Sequence, residues 1–292
     1  MRLWLGFALL CLLSGVGWIV DEAVPGVLTG LLQIAVHLGA IALICMVALL
    51  IRRCHRRGRW LRIAAWSAGM IAVPQVLLAR SANHVPSLTS VLLFTLVPVV
   101  VVVAEAQRSD RFGANDNPLS RVAPALAGTV GAALLLPFNL PSDVAGRVWF
   151  AVLLASVVLS GLSAVKLHQE LQGAPLLKSA AVYSGTTALI AAGFWRAGMV
   201  VPNALTKEAV LAETLRWALI DAPVVLLTVW LLRELRPVAA SVRMLLIPLV
   251  AILASFGIAR PGLNWTITAG CALMAGGSLM LLWSEPPATY PT

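Results

Sequence analysis

The sequence predicts an all-α membrane protein with ten transmembrane helices arranged as two inverted five-helix repeats. Three observations lead there. Sixty per cent of its 292 residues are hydrophobic and 11% charged, with mean hydropathy +0.93, whereas soluble domains have about a quarter of their residues charged. Apolar runs recur at the ~20 residues that a bilayer core of ~30 Å requires. Prolines recur at a near-constant offset: Pro25 and Pro175, Pro74 and Pro223, Pro86 and Pro237, and Pro98 and Pro248 stand 149 to 151 residues apart. Around one pair, residues 72–78 (AVPQVLL) lie opposite 221–227 (DAPVVLL).

The first repeat, residues 1–140, opens with a span over 3–20 behind Arg2. A basic residue, an apolar core and the small residues 14–17 also describe a secretory leader. Ser14-Gly15, however, is matched by Ser160-Gly161, so cleavage would delete the counterpart of a retained helix. Span 26–51 follows Asp21-Glu22, and the basic loop 52–62 leads to span 63–78, interrupted by Pro74. Asn83 and His84, in the next connection, are placed to cap span 87–104, which Pro98 breaks, or to line an outer vestibule. Polar residues 107–117 then lead to span 122–136.

The second repeat, residues 141–292, offers spans 148–165, 180–195, 215–232, 238–258 and 266–283, with Pro223 and Pro248 inside the third and fourth. Gly128 and Gly131 in the fifth span, and Gly270, Gly276 and Gly277 in the tenth, are small residues that let helices approach closely in lipid. The tail, 284–292, is too short and polar for more than a frayed end.

Orientation follows from the cations. With the N-terminus inside, 15 of the 21 lysines and arginines fall on the cytoplasmic side, six of them in the run Arg52 to Arg62. This positive-inside bias predicts cytoplasmic N- and C-termini in a cell inner membrane. It also accounts for the +9 net charge without nucleic acid, and the basic loop can touch anionic lipid headgroups. Five spans per repeat is an odd number, so the second copy enters the membrane inverted, a recurring plan among secondary transporters.

Ser87-Leu88-Thr89-Ser90 running to Pro98, Ala239-Ala240-Ser241 running to Pro248, and Gly270-Cys271-Ala272-Leu273 followed by Gly276 resemble the fourth and fifth helices of the drug/metabolite transporter superfamily, EamA type. The resemblance covers essentially the whole chain. It implies ten spans in two repeats and export of small metabolites. The sequence departs from that pattern where the fourth helices end, with Glu105 early in one half and Ala259-Arg260-Pro261 in the other.

Polar side chains inside spans carry the functional expectations, because a charge at the bilayer centre costs about 2.5 to more than 10 kcal/mol. Asp221, beside Pro223, either takes up a coupling proton or binds a cationic group of a substrate; alternatively Arg216 or a neighbouring helix satisfies it. Gln33 and His37, four apart, share a helix face and offer hydrogen bonds to a ligand or to another helix. Tyr183 and Thr187 repeat that spacing, with Trp195 near the end of the same span as a cavity wall or an interfacial aromatic. Gln75 stands opposite Val224, a chemical asymmetry between the repeats.

These seven residues are the expected substrate site of a secondary transporter moving small metabolites or amphipathic compounds by alternating access, with Asp221 serving either proton coupling or a cationic group of the substrate. Cys11, Cys45, Cys54 and Cys271 form no CxxC pair or His/Cys cluster, so neither metal, cofactor nor disulfide framework is expected, and no signature sets an oligomeric state. No hydrolase, metalloprotease or phosphate-loop motif is present, so no enzyme is expected. Two competing assignments are a non-transporting membrane scaffold on the same fold and a lipid-modifying enzyme, which would gather polar residues in an interfacial cleft beside Arg52 to Arg62.

Overall fold

A computed structural model describes residues 2–23, 28, 30–51, 59–107, 118–196, 206–259 and 264–283, without the side chains of 21–23, 118–121, 209 and 256–259. The expectations for Pro25, the basic run 52–58 with Cys54, the polar loop 108–117, residues 197–205, Arg260-Pro261 and the tail lie outside the described residues.

Every regular element among them is helical. In chain order these are α1 (Arg2–Ala23), α2 (Gly30–Ile51), α3 (Trp60–Ser67), a π-helical turn (Ala68–Ala72), α4 (Val73–Ser81), α5 (Ser87–Phe94) and α6 (Val97–Ala106). Then follow α7 (Pro118–Leu135), α8 (Val144–Leu171), α9 (Leu176–Arg196), α10 (Lys207–Arg216), a second π-helical turn (Trp217–Asp221), α11 (Ala222–Glu234), α12 (Pro237–Ser241), α13 (Arg243–Ala259) and α14 (Trp265–Trp283). Helix is what lipid demands, because it satisfies backbone polar groups within one segment. The protein is an all-α, multi-pass membrane protein, and among the described residues eight helical stretches are long and apolar enough to cross a bilayer.

Two expected spans fall outside those eight. Residues 122–136 form an apolar stretch, Val122–Leu135, shorter than the others. Helix α9 has the length, at 21 residues, but Lys178, Ser179, Tyr183, Ser184, Thr186 and Thr187 dilute its hydropathy. It holds its place by packing along α2, with Ser184 and Thr187 donating to the carbonyls of Ala180 and Tyr183. The span expected at 215–232 begins earlier, at Val210, and runs to Glu234.

Helix ends follow local chemistry. Asp143 caps α8, its carboxylate accepting from the Gly146 amide at 3.0 Å, and Gly173, at φ +73°, turns the chain after it. Pro86, rather than Asn83 or His84, holds the N-cap position of α5, without a side-chain cap. His84 instead stacks on Trp149, ring centroids 6.1 Å apart.

The prolines act less uniformly than their spacing suggests. The helix containing Pro98 is interrupted just before it, at 95–96. Pro248 stays inside α13, and its span breaks instead at Val242, between α12 and α13. Pro74 and Pro223 each stand two residues after the end of a π-turn. A proline leaves the carbonyl four residues earlier without its helical donor. For Pro74 that carbonyl belongs to Met70, and the Ser160 hydroxyl of α8 donates to it at 2.8 Å.

Packing places α8 against α3, α4, α6 and α11, α1 against α11 and α13, and α7 against α14. Small residues set the closest approaches. A Cβ on Gly131 would meet the Gly270 carbonyl at 2.7 Å, and one on Gly277 would collide with the Pro124 carbonyl. Gly276 meets nothing within 4 Å, so the packing role expected for it falls to Gly270 and Gly277. Gly15 faces Val250, and Gly161 faces Val100, each with 2.7 Å left for a Cβ. Leu43, Ile44, Leu50 and Ile51 of α2 point outward, as a lipid-facing surface requires.

Candidate functional site

The two π-turns position the site. A π-turn adds a residue to the helical repeat and is frequent at functional sites; one extra residue rotates the following face by about 100°. Through the turn Trp217–Asp221, Arg216 at its start and Asp221 at its end both come to line the same interior cavities.

Asp221 does not stand alone there. Its Oδ2 lies 2.7 Å from Nδ1 of His37 on α2, and His37 Nε2 lies 2.9 Å from Oε1 of Glu213 on α10. The Gln33 amide donates to that same glutamate oxygen at 3.1 Å, and the Trp217 indole donates to the His37 carbonyl at 3.0 Å. One turn of α2 thus grips the α10–π-turn segment through an imidazole between two carboxylates. His37 and Glu213 are buried and Asp221 is partly open, with 27% of its side chain exposed. Of the two alternatives for Asp221, a neighbouring helix supplies a direct partner, in the form of His37.

The protons of this cluster can be counted. An ionised carboxylate only accepts, and each ring nitrogen either donates or accepts, so two N···O contacts need two protons. These are supplied by an imidazolium between two carboxylates, or by a neutral imidazole with one carboxylic acid. Without one of them, a bare nitrogen faces a bare carboxylate in a medium of low dielectric. The contact therefore holds one exchangeable proton.

Five of the seven residues named from sequence, Gln33, His37, Gln75, Tyr183 and Asp221, line a single cavity of about 340 Å³. Gln75 and Asp221 also line an adjoining cavity of about 620 Å³, walled by Trp18, Phe94, Met70, Met244 and Ile247 together with Pro74 and Pro248. The Gln75 carbonyl oxygen and the Tyr183 hydroxyl are buried without a hydrogen-bond partner among the described residues. Buried polar atoms normally find partners, and these two border the space a ligand would enter.

The other two residues go elsewhere. Thr187 Oγ1 donates to the Tyr183 carbonyl at 3.0 Å within its own helix. Trp195 packs on Leu31, Val76 and Ala191, away from both cavities. Sequence reasoning missed Glu213 altogether, since a span starting at 215 leaves it outside the membrane; an acid eight residues before Asp221 was the available signal. It also missed Arg243, one of the 15 cations assigned to the cytoplasmic side, which is buried at 6% exposure with Tyr183 and Cys11 as the titratable groups facing it. At the opposite end of α3, Arg59 and Arg62 pair with Glu170 of α8 at 3.8 and 3.4 Å.

No family model matches the chain, and no curated protein does. Among solved structures, a crystal structure identified only as that of a protein is similar to it over 97% of this chain and 98% of its own, with 18% identity and a TM-score of 0.73. At that identity the likeness shows the fold alone.

Proposed function

We propose that this protein is a secondary transporter of small metabolites or amphipathic compounds, working by alternating access and built from two inverted five-helix repeats as in the drug/metabolite transporter superfamily. The observation that carries the proposal is the convergence of Gln33, His37, Gln75, Tyr183 and Asp221, drawn from α2, α4, α9 and the second π-turn, on one interior cavity. That cavity adjoins an apolar chamber of about 620 Å³, within the ~300–1,000 Å³ of small-molecule sites. A scaffold would spend such polar groups on separate helix contacts. A lipid-modifying enzyme would need an interfacial polar cleft, and Arg59 and Arg62 are engaged by Glu170.

Support for the repeats, residues 1–140 and 141–292, comes from contacts that recur between the two copies at offsets of 146 to 150 residues. Gly15 against Val250 becomes Gly161 against Val100. The turn at Ala68–Ala72 becomes the turn at Trp217–Asp221, 149 residues on. Packing of α2 on α9 and of α7 on α14 joins equivalent spans of the two copies. In this architecture the rocking of one repeat against the other opens the cavity to alternate sides, and termini on the cytoplasmic face of an inner membrane follow from the cation distribution.

The test is flux of a metabolite panel through proteoliposomes, with and without a pH gradient. At least one amphipathic solute should move faster than through protein-free vesicles, and Asp221→Asn should cut gradient-driven flux about tenfold or more, the equivalent of ~1.4 kcal/mol. A full panel without protein-dependent flux would leave the scaffold assignment standing.

A further inference from the structure

His37 stands between two separate spaces. On one side, a groove of about 300 Å³ between α2 and α10 is lined by Val36, Ala40, Val210 and Thr214 together with His37 and Glu213. Val36 and Val210 are each 46% exposed, so the groove opens at the protein surface. On the other side lies the interior cavity, lined by His37 and Asp221. Of these three spaces, Glu213 lines the groove, Asp221 lines the two cavities, and His37 lines the groove and the smaller cavity. The two carboxylates are eight residues apart along one span, roughly 12 Å of helical rise, and the imidazole bridges them with contacts of 2.9 and 2.7 Å.

We propose that Glu213, His37 and Asp221 form a proton relay leading from the groove between α2 and α10 to the interior cavity, as the proton's route in the transport cycle proposed above. A proton reaching the Glu213 carboxylate makes a carboxylic acid. Its O–H bond breaks as Nε2–H forms, while Nδ1–H breaks and an O–H bond forms on Asp221. Glu213 returns to carboxylate, the imidazole is left as the other tautomer, and one proton has crossed. Rotation of the ring, or passage through the imidazolium, resets it. Imidazole suits this because one nitrogen accepts while the other donates near neutral pH.

The surroundings favour a relay over a plain ion pair. Gln33 holds Glu213 Oε1 while the Trp217 indole anchors the His37 backbone, so the ring is aimed by neutral donors. The other ionisable groups facing the imidazole across the interior cavity are Arg216 and Tyr183, and Arg243 faces Tyr183 behind them. The groove adds only Thr214 and the indole as polar groups, which leaves Glu213 as the proton acceptor on that side.

Two measurements on the full chain in lipid nanodiscs test the relay without any transported solute. Dicyclohexylcarbodiimide, a lipophilic reagent for protonated carboxyls, should modify Glu213 several-fold more at acid than at alkaline pH, located by peptide mass spectrometry. With ¹⁵N-histidine labelling and His37 assigned by its loss in His37→Gln, both ring nitrogens should be protonated at acid pH and average between tautomers as pH rises. Glu213→Gln should shift chiefly Nε2, and Asp221→Asn chiefly Nδ1. A Glu213 inert to the reagent at acid pH, or a His37 fixed in one tautomer throughout, would overturn the relay. The wild-type series decides even if a variant fails to fold. Solute flux without these signatures sinks the relay alone; the signatures without flux sink the transporter proposal alone.

Discussion

The turns Ala68–Ala72 and Trp217–Asp221 are the same backbone device, each ending two residues before a proline, yet they carry opposite chemistry. The first holds Gly69, Met70 and Ala72, all buried, and Ser160 donates to its Met70 carbonyl. The second holds none of its residues buried and ends in Asp221 where the first ends in Ala72. An apolar turn packed against α8 is a joint. A partly open turn with an acid gripped by His37 is a joint whose contact depends on a proton. In the two-repeat architecture proposed above, duplication would supply the turn twice and divergence would put the chemistry in one copy.

Four substitutions break or sharpen that contrast. The largest effect should come from Ala72→Asp, which gives the first turn the acid of the second. Ala72 is 1% exposed, so an acid there is cut off from water. An uncompensated buried charge costs about 3–5 kcal/mol, so the variant should fail to insert or melt far below wild type in detergent. An unchanged melting temperature would show that the first turn tolerates charge as well as the second.

Next come Gly15→Val and Gly161→Val. Each forces a side chain into the matching close approach, at Val250 and Val100 respectively, and overpacking costs about 1–3 kcal/mol. Equal losses, read by thermal melting, are expected if α1·α13 and α8·α6 are equivalent joints. A loss confined to one would mean that the symmetry of contacts is not one of energies.

The smallest change should come from Ser160→Ala. Removing the donor to the Met70 carbonyl should cost about 1 kcal/mol and leave the His37 contacts intact, visible as unchanged His37 ¹⁵N shifts. Movement of those shifts would mean that the two turns are mechanically coupled.

Much of the architecture was legible in the chain. Helical membrane character follows from composition and run length, since lipid leaves few alternatives for an apolar backbone. The proline register marked where both interrupted spans would lie, although not where each would break. Hydropathy was least informative for α9, where Ser184 and Thr187 bond to their own helix backbone and the helix packs on α2. The candidate site was legible as a set of residues rather than as a site. Asp221 was conspicuous by its cost, and Gln33 and His37 by their shared face, but Glu213 was lost to a span boundary placed five residues too late.

The sequence by itself determined that the chain is a helical membrane protein and that Gln33, His37, Gln75, Tyr183 and Asp221 are polar groups lipid would not tolerate unpaired. Only the tertiary structure decided that His37 meets Glu213 and Asp221 together. The partners are 176 and 184 residues away in sequence, on a span whose π-turn shifts the faces that a 3.6-residue period would assign. Local periodicity records which side of its own helix a residue occupies. Which helix lies opposite is set by small-residue approaches and by pairing of polar groups across the bundle, interactions that exist only once the helices have assembled.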